Sequence, residues 1–262
     1  MGKIYEALEK AERGQEGAKL QSHISSLDGL DPSNELVILN RPGSAIAEKF
    51  RFLRSKIIRP IEGSAPKTVL IASSLQAEGK TFMAANLAVA IAQGLDEHVL
   101  LIDADLRNPQ MHRIFNLEDG NDKGLANHLS EGTKLSELLF KTSIDKLTIL
   151  PAGMPPNNPA ELLASQKMKA LVAEVRDRYP DRVVIFDSPP MEFAPEALVM
   201  ANEVDGIFLV VLRASTPRDV VRSNLEKIKQ EKFQGIIFNA DKQSSKAYKG
   251  GYNGYGYGYG QK

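Results

Sequence analysis

The chain has 262 residues, 42% of them hydrophobic and 25% charged, enough for one substantial core with terminal appendages. Its 33 basic and 33 acidic side chains cancel, so no global charge draws it to nucleic acid or to an acidic membrane surface. The absence of cysteine excludes disulfides, thiolate metal sites and thiol nucleophiles together, and His23, His98, His112 and His128 are scattered without ligand spacing.

From the N-terminus, Ile4, Ala7, Leu8 and Ala11 fall at i, i+3, i+4 and i+7, which predicts a short amphipathic helix over residues 3–13. At about three turns it needs a surface to lie on, either its own domain or a partner. The charged start is unlike a signal peptide. Gly2 meets only the first requirement for myristoylation, and no apolar run reaches the ~18 residues of a membrane span. The expected compartment is the cytosol. Residues 14–43 are polar and rich in turn formers, and read as linker.

At Ser44 the pattern becomes helical, with Ile46, Phe50, Leu53 and Ile57 in one stripe and Glu48, Arg51 and Arg54 on a neighbouring face. Beyond Pro66, apolar runs at Val69–Ala72, Val99–Ile102, Leu147–Leu150, Val183–Phe186, Ile207–Leu212 and Ile236–Phe238 predict strands. Helical stretches at Thr81–Gln93, Ala160–Arg178, Pro195–Ala201 and Pro217–Lys232 separate most of them. Unbroken apolar strands alternating with helices imply an α/β doubly wound, mostly parallel sheet covered on both faces. Residues 44–241 form that domain. Residues 242–262 lack aliphatic side chains, apart from one alanine, and hold Tyr248, Tyr252, Tyr255, Tyr257 and Tyr259 among glycines, so a disordered tail is expected there.

The segment Ser73–Thr81 follows a strand and opens a helix, the context of a phosphate-binding Walker A loop. Ser74, Gln76, Ala77, Glu78, Gly79, Lys80, Thr81 and Phe82 are the candidate nucleotide-binding residues. The backbone N–H groups there would cradle phosphates at the positive end of the helix. Lys80 would hold the β/γ oxygens, and the Thr81 hydroxyl would bind Mg²⁺. Ser74 stands where the usual first glycine falls. Two further strands end in acids: Leu100–Arg107 delivers Asp103, Asp105 and Arg107, and Val183–Pro190 delivers Asp187. Three such strand ends suit one crevice at the carboxyl edge of a parallel sheet and supply a Mg²⁺·ATP site, with Thr81, Asp103 and Asp187 as the metal set.

With these motifs in order, the chain resembles the bacterial tyrosine kinases (BY-kinases) of capsule and exopolysaccharide assembly, from about Ser44 to the C-terminus. Ser73–Thr81 is similar to their Walker A, with Gln76 where proline is usual, Leu100–Arg107 to their Walker A′, and Val183–Asp187 to their Walker B. Glu48, Arg51 and Arg54 match the family's E-x-x-R-x-x-R subunit-contact motif. The Leu150–Leu163 stretch and the tyrosine-rich tail are similar too. Met1–Glu12 further resembles autokinases found beside exosortase-linked polysaccharide systems.

The resemblance implies an ATP- and Mg²⁺-dependent autokinase that phosphorylates Tyr248, Tyr252, Tyr255, Tyr257 and Tyr259 in trans within a ring-like homo-oligomer. Lys80, Asp103, Asp105 and Arg107 would be catalytic. Asp103 would orient or deprotonate the tyrosine, Asp105 being a second base or a metal-side partner. Arg107 would neutralise phosphate charge or pair with Asp105. The implied partners are a separate transmembrane polysaccharide co-polymerase, which would recruit the kinase to the inner face of the membrane, and a protein-tyrosine phosphatase. Two rivals remain at this level. A partitioning or septum-site ATPase would carry an additional lysine where Leu75 stands, and a silent assembly scaffold would not need a complete magnesium site.

Overall fold

The computed structural model describes residues 35–117, 122–178 and 182–239. The expected N-terminal helix, the tyrosine-rich tail and Tyr179 lie outside them. Seven strands form one sheet: β1 Thr68–Ser73, β2 His98–Asp103, β3 Phe140–Lys141, β4 Leu147–Leu150, β5 Arg182–Asp187, β6 Gly206–Leu212 and β7 Phe233–Asn239. Their order is β3-β4-β2-β5-β1-β6-β7. Every pairing is parallel except that of β3 with β4.

The helices are α1 Val37–Asn40, α2 Ala45–Ile58, α3 Lys80–Ala92, α4 Met111–Ile114, α5 Leu125–Glu131, α6 Pro159–Leu163, α7 Gln166–Arg178, α8 Pro195–Glu203 and α9 Arg218–Lys227. Alternating strand residues face two cores. Val69, Ile71, Leu101 and Ile185 pack with α2 and α3, while Leu70, Ala72, Ile102 and Phe186 pack with side chains from α5 to α8. This two-sided burial explains why the central strands read as unbroken apolar runs.

Three expectations need correction. The segment before Ser44 is not all linker: Leu36 and Ile38 are fully buried, and Asn86 ties them in by accepting the Ile38 N–H at 3.3 Å and donating to the Glu35 carbonyl at 2.6 Å. Ile46 does not share the buried stripe of α2. It is 49% exposed, and the core side is formed by Ala47, Phe50 and Ile57, with Leu53 packed partly against it. The single helix expected over 160–178 is two, because Ser165 begins a new one: its hydroxyl accepts the Met168 N–H at 3.2 Å.

β2 does not neighbour β1 although it follows it in sequence, because β5 lies between them. The carboxyl ends of β1, β2 and β5 are therefore side by side, with Asp103 directly opposite Asp187 in the parallel register and Ile71 opposite Asp187 on the other flank. A crevice at such a reversal of strand order is where open α/β sheets take their ligands.

Candidate active site

The loop between β1 and α3 is held from three directions. The Glu78 carboxylate accepts the Leu75 N–H at 2.8 Å and the Thr216 hydroxyl, while Asn239 Nδ2 donates to the Glu78 carbonyl at 2.9 Å. Ser73 Oγ donates to the Leu75 carbonyl at 2.8 Å. Gly79 caps α3 with φ +90°, and a Cβ there would meet Asn239 Nδ2 at 2.1 Å, so only glycine fits. Ala77 also has positive φ, at 59°. Of the expected loop residues, Gln76 and Ala77 are exposed and Ser74 and Glu78 are buried. Phe82 turns its ring edge-on to Phe50, with centroids 5.8 Å apart, so its side chain serves the core and only its backbone is at the loop.

The strand ends bring Lys80, Asp103, Asp105 and Asp187 together. Lys80 Nζ contacts Asp105 Oδ2 at 2.8 Å, with side-chain exposures of 12% and 4%. Burial works to lower the Lys80 pKa. The charges of Asp187, Asp105 and Asp103, with the hydrogen bond to Asp105, outweigh it and carry the pKa above its ordinary value. Asp103 is completely buried and organises the following loop: Oδ1 accepts the Asp105 N–H at 3.2 Å, and Oδ2 accepts those of Gln110 and Met111, each at 3.1 Å. Burial pushes its pKa up to about 6 against the pull of those backbone donors.

Asp187 differs. Both its oxygens are buried without a hydrogen bond of regular geometry. Burial raises its pKa to about 8, opposed by the positive charge of Lys80 and by the Thr81 hydroxyl and reinforced by Asp103. Ser74 Oγ is likewise buried and unpartnered. Orphaned oxygens beside a glycine-capped helix N-terminus and a lysine fit a divalent cation and phosphates, because Mg²⁺ takes oxygen ligands and keeps bound water. Thr81 and Asp187 would hold it, with Asp103 behind them.

The sign of the Asp187 shift gives a stability prediction. The unfolded carboxyl titrates near 4. In the folded, ligand-free protein Asp187 keeps its proton to about 8. Between those values the folded state binds the extra proton, so stability falls as pH rises. Asp187→Asn removes this penalty and is expected to raise the melting temperature of nucleotide-free protein, by more at pH 8 than at pH 5. Equal gains at both pH values would show that Asp187 ionises normally in the fold.

Arg107 does not pair with Asp105, which belongs to Lys80. Its Nε donates to Glu196 Oε1 at 2.8 Å, on the first turn of α8. Glu48 and Arg51 form an i, i+3 ion pair, Arg51 Nη2 donates to the Pro42 carbonyl at 2.8 Å, and Arg54 Nη1 to the Ala90 carbonyl at 3.3 Å. Within one chain these arginines brace α2 against its own domain. The sequence reading missed Glu196, Thr216 and Asn239. Glu196 looks like an ordinary first-turn acid after Pro195, and Asn239 lies one residue past the last apolar strand.

This loop, crevice and strand order define a P-loop nucleotide-binding protein. The AAA-domain family profile matches residues 67–216. Tyrosine-protein kinase YwqD of Bacillus subtilis is 36% identical over 211 residues, 80% of this chain and 87% of that one. Tyrosine-protein kinase CpsD of Streptococcus agalactiae is 32% identical over 218 residues, covering 82% and 92%. Among solved structures, the kinase domain of Escherichia coli tyrosine kinase ETK superposes with a TM-score of 0.72 at 28% identity, covering 86% of this chain and 84% of that one. The septum-site protein MinD of Pyrococcus horikoshii, at 21% identity and a TM-score of 0.52, shares the fold alone. The chain belongs to the bacterial tyrosine kinase family.

Proposed function

We propose that this chain, a tyrosine kinase by family, transfers the γ-phosphoryl group of Mg²⁺·ATP to Tyr248, Tyr252, Tyr255, Tyr257 and Tyr259 of a neighbouring copy. The observation that carries the reading is the convergence of Lys80, Asp103, Asp105 and Asp187 beside the loop capped by Gly79. Phosphoryl transfer asks a protein mainly for positioning and charge stabilisation, and these groups supply both. The loop N–H groups and Lys80 hold the β and γ phosphates, Lys80 exchanging its Asp105 partner for phosphate oxygens. Thr81 and Asp187 would hold Mg²⁺, which when bound would offset the charge that develops on the phosphate oxygens.

The phenolic oxygen of the acceptor tyrosine attacks the γ-phosphorus as the bond to the β–γ bridging oxygen breaks, leaving ADP. Its proton passes to Asp103, whose pKa of about 6 suits a base at neutral pH and whose Oδ1, accepting one backbone N–H, keeps a lone pair. A glycine-rich sequence of about twenty residues has a random-coil span of roughly 25 Å, enough to reach an adjacent crevice.

Delivery in trans needs subunits side by side, and the outer face of α2 with Glu48, Arg51 and Arg54 is the assigned contact of a ring-like homo-oligomer. No helix among the described residues is long and apolar enough to cross a membrane. A separate transmembrane polysaccharide co-polymerase, recruiting the kinase to the inner membrane face in exopolysaccharide export, and a protein-tyrosine phosphatase complete the proposal. Mass spectrometry after incubation with Mg²⁺·ATP tests it: phosphate is expected on the five tail tyrosines. Phosphate confined to Tyr5 or Tyr179, or none, would refute the acceptor assignment.

A further inference from the structure

The buried carboxylate of Glu196 lies outside the motifs that define the site, yet it touches one of them. Its residue is 2% exposed, one oxygen accepts from Arg107 Nε at 2.8 Å, and the other, Oε2, has no hydrogen-bond partner. Arg107 is its opposite in exposure, with 47% of its side chain open to solvent. A buried carboxylate with one oxygen unsatisfied adds little to stability. Its consequence is geometric. A guanidinium is a rigid planar fork, and a carboxylate bound at Nε alone restrains its position while leaving Nη1 and Nη2 available to other acceptors. Neither Nη donates a hydrogen bond to a described residue. The held guanidinium stands two residues beyond Asp105, on the loop that Asp103 ties down through three backbone N–H groups.

The geometry points to Glu196 as a positioning residue that holds Arg107 with its two Nη groups presented to the anionic oxygens of the phosphoryl group under transfer. This rests on the kinase reading above and adds a residue to it. Glu196 touches no substrate. It acts through Arg107, so its removal lowers the rate of transfer and spares nucleotide binding, which belongs to the loop and Lys80. A loosened guanidinium is a misplacement on the scale of an ångström, which costs about 10²-fold in favourable cases. The neutral isostere Glu196→Gln is therefore expected to lower kcat roughly ten- to a hundredfold, with KM for Mg²⁺·ATP unchanged and a melting temperature equal to or above that of the parent.

The deciding measurement is a double-mutant cycle of Glu196→Gln and Arg107→Ala, read as phosphotyrosine formed per minute by full-length protein. If Glu196 works only through Arg107, the double variant is no slower than Arg107→Ala alone, and Glu196→Asp falls between parent and Glu196→Gln. Independent, multiplying losses would make Glu196 a general structural element and overturn the assignment, as would Glu196→Gln protein of parental kcat. A parent that forms no phosphotyrosine sinks the kinase reading and this inference with it, whereas an active parent with an unimpaired Glu196→Gln sinks the inference alone.

Discussion

Lys80→Met is expected to reduce tail phosphorylation about 10²- to 10³-fold, the usual cost of losing one charge partner of a transition state. Methionine keeps most of the stem volume, so the 12%-exposed side chain is replaced without a large cavity. What disappears is the one cation among the described residues in contact with Asp105, within the field of Asp103 and Asp187. Asp187 then loses the positive charge that opposed its protonation and favours its protonated form more strongly. The variant should accordingly fold, with circular dichroism like the parent's, but lose thermal stability more steeply than the parent between pH 6 and pH 8. Purified protein with no other kinase present and [γ-³²P]ATP provides the assay. Undiminished labelling of Lys80→Met would place the chemistry elsewhere in the molecule.

The parts legible in the sequence are those fixed by local chemistry. β4 runs over the predicted Leu147–Leu150, and β1, β2, β5 and β6 each extend their predicted runs by one or two residues, because strands buried on both faces carry no polar positions to blur them. Only Ile236–Phe238 of β7 reads as strand in the sequence, although β7 spans Phe233–Asn239. It is an edge strand whose burial alternates, so Gln234 and Gly235 look like loop. Leu36 and Ile38 escaped notice because two apolar residues in a polar stretch have no period, and what buries them is Asn86, some 50 residues on. The split at Ser165 had a signal, a serine at an N-cap position, that the apolar pattern across it concealed.

In the site, the motif residues and their meeting at one sheet edge were readable, but their partners were not. Which carboxylate takes Lys80 and which takes Arg107 depends on β5 lying between β2 and β1 and on where α8 begins, both matters of tertiary arrangement. The same holds for the contrast between Asp103, held by three backbone donors, and Asp187, which accepts no backbone N–H of the described residues. Both are acids at strand ends, and only the fold distinguishes them.

Full phosphorylation of the tail is expected to break the proposed homo-oligomer into smaller species. Each phosphotyrosine carries roughly −1.5 to −2 charge at neutral pH, so five add about −8 to −10 per subunit. The chain starts from a formal charge of zero, and all of the change falls between Tyr248 and Tyr259. A tail so charged is repelled by its neighbours and by the carboxylates of Asp103 and Asp105 at the crevice. The opposite outcome needs cations to capture the phosphates, and Arg51 and Arg54 are the nearest candidates on the assigned contact face. Both are committed, Arg51 to Glu48 and the Pro42 carbonyl and Arg54 to the Ala90 carbonyl, so capture would first have to break these contacts. Repulsion is screened beyond about 8 Å at physiological salt, which makes the effect larger at low ionic strength. Sedimentation of phosphorylated and dephosphorylated protein at two salt concentrations reads it directly. The combined Glu48→Ala, Arg51→Ala and Arg54→Ala variant supplies the dissociated reference if α2 is the contact, and its mass would be unchanged if it is not. A phosphorylated form that remains the larger species at low salt would mean that the arginines do release their partners, and that phosphate tightens the proposed contact.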